Sequence, residues 1–232
     1  VYTAAFLDSP RESPWGTTQR DQKEGLELCE KAYDEIDYYA KSLGIEWFAS
    51  AWDLESQQFL RKYNLGVNKV ASAMATNQEF LELVAGERKL TYLSTGMCDL
   101  SQIDNAVEVF KSYNCPFILM HSVAEYPAPE KVLNLRCILA LKDRYDCRVG
   151  YSGHESSVSP SVAAAALGAC AVERHITLDR AMYGSDQSAS LEPHGIETLV
   201  AQIRKISVVM GDGVKRVTSS EEVNAAKLRY WV

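Results

Sequence analysis

Basic residues are in the minority. Twenty-four Lys and Arg stand against 31 Asp and Glu, a formal net charge of −7, and no Lys/Arg cluster breaks the pattern. Nucleic-acid binders usually carry a basic face, so neither nucleic acid nor an anionic membrane surface is the expected partner. Long apolar runs are also lacking. The longest, residues 162–172, contains Gly168 and falls well short of the ~20 residues that span a bilayer. The six cysteines (Cys29, Cys98, Cys115, Cys137, Cys147 and Cys170) form no C-x-x-C pair. With no leader-like segment in front of them, they argue against a disulfide framework and for a reducing cytoplasm. No G-x-G-x-x-G, Walker A, H-x-H or H-E-x-x-H run occurs, which removes the usual nucleotide and zinc-hydrolase signatures. A chain that opens on Val1 is expected to be a piece of a longer protein or a processed one.

What is present is an ordinary globular balance, 47% hydrophobic and 24% charged over 232 residues, enough for one domain. Residues 1–22, with Pro10, Pro14 and Gly16, read as an irregular loop segment. After them, apolar runs rich in β-branched and aromatic residues stand at 45–52, 68–72, 90–97, 116–123, 148–152 and 171–178. Most are near-continuous, as strands buried on both faces of a parallel sheet are. Helical periodicity fills the intervals: 24–43, 54–63, 77–85, 101–113 with Ser101 as its N-cap, 131–145, 159–167 and 195–210. About six strand–helix units predict an α/β fold. Either a (β/α)8 barrel two units short or an open doubly wound sheet fits that count.

Parallel barrels gather their active sites at the C-terminal ends of the strands. Those ends carry Ser50, Trp52, Asp53, Lys69, Ser72, Ser94, Thr95, Gly96, His121, Ser122, Tyr126, Ser152, His154, Glu155, Glu173, His175 and Asp186. His154 and His175 lie 21 residues apart, one strand–helix–strand step. Two such imidazoles can share a divalent ion, or each can rest on a backbone carbonyl. Lys69, Ser72, Ser94 and Ser152 could cradle a phosphate or carboxylate; a single serine there could equally be a cap. An ammonium inside a strand is costly unless it is met, which favours a functional Lys69. His121 reads as a core histidine held by a carbonyl, His194 as solvated, and Asp53 as a helix cap. Trp52 and Tyr126 are pocket or packing residues.

Several segments together resemble one family. They are Gly150-Tyr-Ser-Gly-His154-Glu155, Val172-Glu-Arg-His175-Ile-Thr-Leu-Asp179, Gly184-Ser-Asp186 and Ala189-Ser-Leu-Glu-Pro193. Upstream stand Asn68-Lys-Val-Ala-Ser72, Leu93-Ser-Thr-Gly-Met97, Tyr126-Pro-Ala-Pro129 and Asn134-Leu-Arg136. In order and spacing the chain is similar to the sialic acid (N-acetylneuraminate) synthase family from about Ile45 to Val214. The resemblance implies a TIM barrel that condenses phosphoenolpyruvate with N-acetylmannosamine, its 6-phosphate or a related amino sugar. The products are a nine-carbon α-keto acid and phosphate. It implies a divalent metal, Mn or Mg, held by His154 and His175, and a homodimer. It places phosphoenolpyruvate on Lys69, Ser72, Ser94, Asn134 and Ser152, with Ser50 where the family often has Thr. Tyr126, Glu173 and Asp186 would face the sugar, and Glu173, His175 and Asp186 would carry the chemistry.

The chain departs from the family in three ways. Ala73-Met74 replaces a Gly-Glu whose Glu binds sugar. The first two barrel strands, with a phosphoenolpyruvate-binding Lys, have no counterpart. No segment up to Val232 resembles the family's antifreeze-like domain. Other readings are a different metal-dependent barrel aldolase, or a barrel retained without catalysis. With six strands, 45–52 and 171–178 are expected to be the sheet's edges, and the chain expressed alone is expected to associate or to be inactive.

Overall fold

The computed structural model describes residues 2–231. Residues 2–22, expected to be irregular, are ordered by local side-chain contacts. Thr3 caps the short helix α1 (Ala4–Leu7). Strands β1 (Pro10–Ser13) and β2 (Gly16–Thr18) then pair antiparallel. The Ser13 hydroxyl donates to the Gly16 carbonyl at 3.0 Å, and the Asp21 carboxylate accepts the Thr17 and Thr18 N–H groups, each at 3.0 Å. Gly16 is required here: φ is +155°, and a Cβ would lie 2.4 Å from Asp21 Oδ2. Thr18 and Asp21 form a capping box that opens α2 (Gln19–Leu26).

The single helix expected over 24–43 is two helices. Glu27 and Cys29 are extended, so the chain turns between α2 and α3 (Glu30–Leu43). Gly44, left-handed at φ 65°, ends α3 as the sequence indicates.

Six parallel strands follow: β3 (Ser50–Ala51), β4 (Val67–Val70), β5 (Leu90–Ser94), β6 (Phe117–Ser122), β7 (Arg148–Gly153) and β8 (Val172–Arg174). The helices between and after them are α4 (Leu54–Leu60), α5 (Gln78–Gly86), α6 (Leu100–Ser112), α7 (Cys137–Tyr145), α8 (Ser159–Ala166), α9 (Pro193–Val209) and α10 (Ser219–Leu228). Asp53 caps α4 as expected. The cap of α6 is Asp99, whose side chain accepts from the Gln102 N–H at 2.9 Å, and not Ser101, which lies one residue inside the helix. Of the run 45–52 only Ser50–Ala51 pairs in the sheet, and of 171–178 only Val172–Arg174, with an isolated bridge from Ile176 to Leu191. Among the described residues no helix is long and apolar enough to cross a membrane.

The strand order is sequential, β3-β4-β5-β6-β7-β8. A doubly wound sheet reverses its order part-way; this one does not, so that alternative falls. The sheet also curls. Lys69 on β4 and Glu173 on β8 are four strand steps apart, roughly 19 Å in a flat sheet at ~4.8 Å per step, yet Lys69 Nζ stands 2.8 Å from Glu173 Oε2. The architecture is TIM-barrel-like, with six strand–helix units among the described residues. Its two ends are β3 and β8, the expected edges. The helices bury Val70, Phe80, Val84, Leu93, Phe110 and Leu119 against the sheet.

At the N-terminal ends of the strands, buried Asn68 and Gln57 meet the carboxylate of Glu87. Arg61 Nε donates to Glu87 Oε1 at 2.8 Å and Asn68 Nδ2 to Oε2 at 3.1 Å. Burial pushes the Glu87 carboxyl up, but the hydrogen bonds from Arg61, Asn68 and Gln57 and the charge of Lys89 outweigh it and hold it below the usual range. A carboxyl so lowered stabilises the fold above its unfolded pKa, and that contribution is lost as pH falls through the folded value. Urea denaturation should therefore show Glu87→Gln losing less stability than the parent between about pH 5 and pH 3; parallel pH profiles would refute this. Glu87→Ala should cost about 1–3 kcal/mol at neutral pH by leaving Asn68 without its acceptor.

Candidate active site

The C-terminal strand ends place most of the expected residues together. Lys69 is 7% exposed. Its ammonium donates to Ser94 Oγ at 2.6 Å and to Glu173 Oε2 at 2.8 Å. Ser152 Oγ donates to Glu173 Oε1 at 2.9 Å. Four residues from β4, β5, β7 and β8 thus meet around one carboxylate. Burial pushes the Glu173 carboxyl up, but the Lys69 charge and the hydrogen bonds from Lys69 and Ser152 more than offset it. Glu173 therefore stays ionised at neutral pH.

A second cluster lies beside it. The Gly96 N–H donates to Ser72 Oγ at 3.0 Å and to Ser122 Oγ at 3.1 Å, and the two hydroxyls are 3.3 Å apart. Ser122 was legible only as a polar residue at a strand end. Its role depends on β6 bringing it beside the turn after β4.

The two histidines face each other. The His154 and His175 ring centroids are 5.3 Å apart at 83°, and Tyr126 lies against both, at 4.2 Å and 5.4 Å. His154 Nδ1 is 2.6 Å from the Val123 carbonyl. Only a protonated Nδ1 satisfies that oxygen, which leaves the Nε2 lone pair free. Burial pushes His154 below its ordinary pKa, against the Val123 hydrogen bond, so the ring is neutral. His175 Nδ1 stands 3.5 Å from Asp186 Oδ2. A carbonyl behind one imidazole and a carboxylate near the other are the arrangement that orients metal-binding histidines, and the donor set fits a divalent ion. No group of three or more His, Cys, Asp or Glu poised for a metal occurs among the described residues. The remaining coordination positions would fall to substrate and water oxygens.

Other expected residues stand apart. Asn134 is exposed, with a left-handed φ of 42° that Asn tolerates. Ser50 is level with Lys69 in the β3–β4 register but lines a cavity of about 650 Å³ at the β3 edge with Tyr2, Tyr33, Trp52 and Phe59. Of the other strand-end candidates Trp52 and Asp53 also line it, whereas Lys69, Ser94, His154, Glu173 and His175 do not. Trp52 packs against the core and the Tyr2 ring. Met74 is buried in the core, so the position that departs from the family supplies packing here. His121 Nε2 rests on the Leu133 carbonyl at 2.8 Å, the core role its sequence suggests, and His194 is exposed.

Sequence spacing alone assigns no partners to Tyr151, Glu155, Ser161 or Arg174. They form a buried polar network beneath His154. The Tyr151 hydroxyl donates to Glu155 Oε2 at 2.8 Å, Ser161 Oγ to Glu155 Oε1 at 3.1 Å, and Arg174 Nη1 lies 3.1 Å from Glu155 Oε1.

A Cβ on Gly96 would lie 2.8 Å from Ser72 Oγ and 2.9 Å from Ser122 Oγ, whereas one on Gly66 would meet nothing. Gly96→Ala should therefore lower stability by about 1–3 kcal/mol as the hydroxyls are forced apart. Gly66→Ala should stay within about 0.5 kcal/mol of the parent. Denaturant titration of the two variants checks this, and equal midpoints would refute it.

The NeuB family model matches residues 4–215. The chain is 40% identical over 212 residues to N,N'-diacetyllegionaminic acid synthase of Campylobacter jejuni, covering 89% of this chain and 63% of that protein. It is 35% identical over 215 residues to human N-acetylneuraminate-9-phosphate synthase, covering 92% and 60%. It thus spans somewhat under two thirds of the length of these curated relatives. The crystal structure of N-acetylneuraminic acid synthetase from Leptospira borgpetersenii, in complex with citrate, superposes with a TM-score of 0.83 at 30% identity, covering 91% of this chain and 76% of that one. On its sequence and its fold, the chain belongs to the NeuB family of sialic acid synthases.

Proposed function

We propose that this chain carries the catalytic face of a nonulosonate synthase. That enzyme joins phosphoenolpyruvate to N-acetylmannosamine or a related amino sugar, giving a nine-carbon α-keto acid and phosphate. The observation that carries the reading is Lys69, buried and bonded to Ser94 and Glu173, beside the facing pair His154 and His175. Lys69, Ser72, Ser94 and Ser152 hold the phosphate and carboxylate of phosphoenolpyruvate, with Ser50 and Asn134 at the margins. Tyr126 and Asp186 face the sugar. His154 and His175 hold a divalent ion, Mn or Mg, which when bound supplies Lewis-acid polarisation of the sugar's aldehyde oxygen.

The C2–C3 π pair of phosphoenolpyruvate forms the new bond to the aldehyde carbon, and the aldehyde oxygen takes a proton. Water adds to the electron-poor C2 and gives up a proton. The C2–O bond to phosphate breaks as the proton of the new C2 hydroxyl passes to the departing phosphate, leaving the keto group. Lys69 rests on Glu173 in the free protein; the substrate phosphate is a competing acceptor, and its arrival frees Glu173 as the base for the attacking water.

Phosphate release from phosphoenolpyruvate, measured with Mn across a panel of amino sugars on the complete gene product, tests the proposal. Release that depends on a sugar is expected; a folded protein that releases none with any sugar overturns it. Lys69→Met should raise KM for phosphoenolpyruvate about 10- to 100-fold and leave that for the sugar little changed. Equal effects on both substrates would count against the assignment. His154→Ala and His175→Ala should each abolish calorimetric Mn binding without unfolding the protein, and unchanged binding would remove them as ligands.

A further inference from the structure

The network beneath His154 has no part in the reaction just described, and it is costly. Glu155 is fully buried and the Arg174 side chain is 3% exposed, with Nη1 3.1 Å from Glu155 Oε1. Desolvating two charges consumes most of what their attraction returns, so apolar side chains of similar volume would hold this space at least as well. The location of the pair is what distinguishes it. Glu155 directly follows His154, and Arg174 directly precedes His175. Arg174 ends β8 and His175 continues from it, so their side chains take opposite faces, and Glu155, in the bend after β7, meets Arg174 on the face away from the His175 imidazole.

The pair is tied to backbone on both sides. Arg174 Nη1 donates to the Ser157 carbonyl at 2.8 Å and to Ser161 Oγ at 3.1 Å, and Nη2 donates to the carbonyl of Glu155 itself. The Glu155 carboxylate accepts the Tyr151 and Ser161 hydroxyls. It also lies so close to Gly153 that a Cβ there would sit 2.7 Å from Oε2. The guanidinium fork of β8 thus grips the backbone that carries His154 away from β7.

We propose that Glu155 and Arg174 are positioning residues. Their pair fixes the separation and orientation of His154 and His175 from behind and thereby sets the affinity for the divalent ion. This rests on the reading of those histidines as ligands.

The test is Mn binding by electron paramagnetic resonance titration of the full chain, with thermal unfolding followed in parallel. The apolar double variant Glu155→Met/Arg174→Met removes the charges and keeps the bulk. It is expected to bind Mn about 10- to 100-fold more weakly, the range typical when groups that orient metal ligands are removed, with an unfolding midpoint close to the parent's. Should the double variant not fold, Arg174→Lys serves. It keeps the charge, loses the planar fork, and is expected to weaken Mn binding about tenfold. Parent-like Mn affinity in a folded variant overturns the inference while leaving the histidine assignment intact. A parent that binds no Mn, or a His154→Ala variant that binds as the parent does, overturns the ligand reading and this inference with it.

Discussion

An ammonium placed inside a β-strand must find its counter-charge within the protein, and much of this fold is arranged around the one at Lys69. On β4 it stands between buried Asn68 and buried Val70, and the group itself is nearly closed to solvent. The carboxylate it meets belongs to the last strand of the sheet, not an adjacent one. That contact is possible only because the sheet curls, and the same curvature turns the ends of β5, β6 and β7 toward a common centre. A flat sheet would leave Lys69 unpaired and the serines in a row.

The two ends of the strands are chemically different. At the N-terminal ends, Asn68, Gln57 and Glu87 satisfy one another and Arg61, a closed arrangement that fixes the sheet and exposes nothing reactive. At the C-terminal ends the polar groups are only partly satisfied by the protein. Ser72 and Ser122 share a single N–H, His154 has one nitrogen engaged, and Glu173 stays partly open to solvent. Unspent hydrogen-bonding capacity of this kind is what a charged substrate can use.

Electrostatics there is set by burial as much as by charge. Burial keeps the His154 ring neutral, the form that binds a cation, while the Lys69 ammonium keeps the nearby Glu173 ionised against the same pressure. One end of the sheet therefore offers a neutral imidazole, a carboxylate and an ammonium at one pH, which a solvated surface could not arrange among such close neighbours.

The sequence by itself determined the α/β class and the chemical identity of the strand ends, because buried parallel strands need largely apolar runs and gather polar residues where they stop. It determined the Asp53 cap and the Gly44 stop, since both depend on contacts within a few residues. It did not determine the hairpin of residues 10–18 or the break between α2 and α3, which turn on Asp21 reaching back to two backbone N–H groups and on two extended residues within a helical pattern. Nor did it determine that the cap of α6 is Asp99, because Ser101 has the same local chemistry two residues later. Tertiary structure alone decided that Met74 is core, that Ser50 faces an edge cavity, and that Glu155 finds Arg174. Each of these depends on which strand lies beside which and how strongly the sheet curls, and that is a property of the packed sheet, which no segment of the chain carries alone.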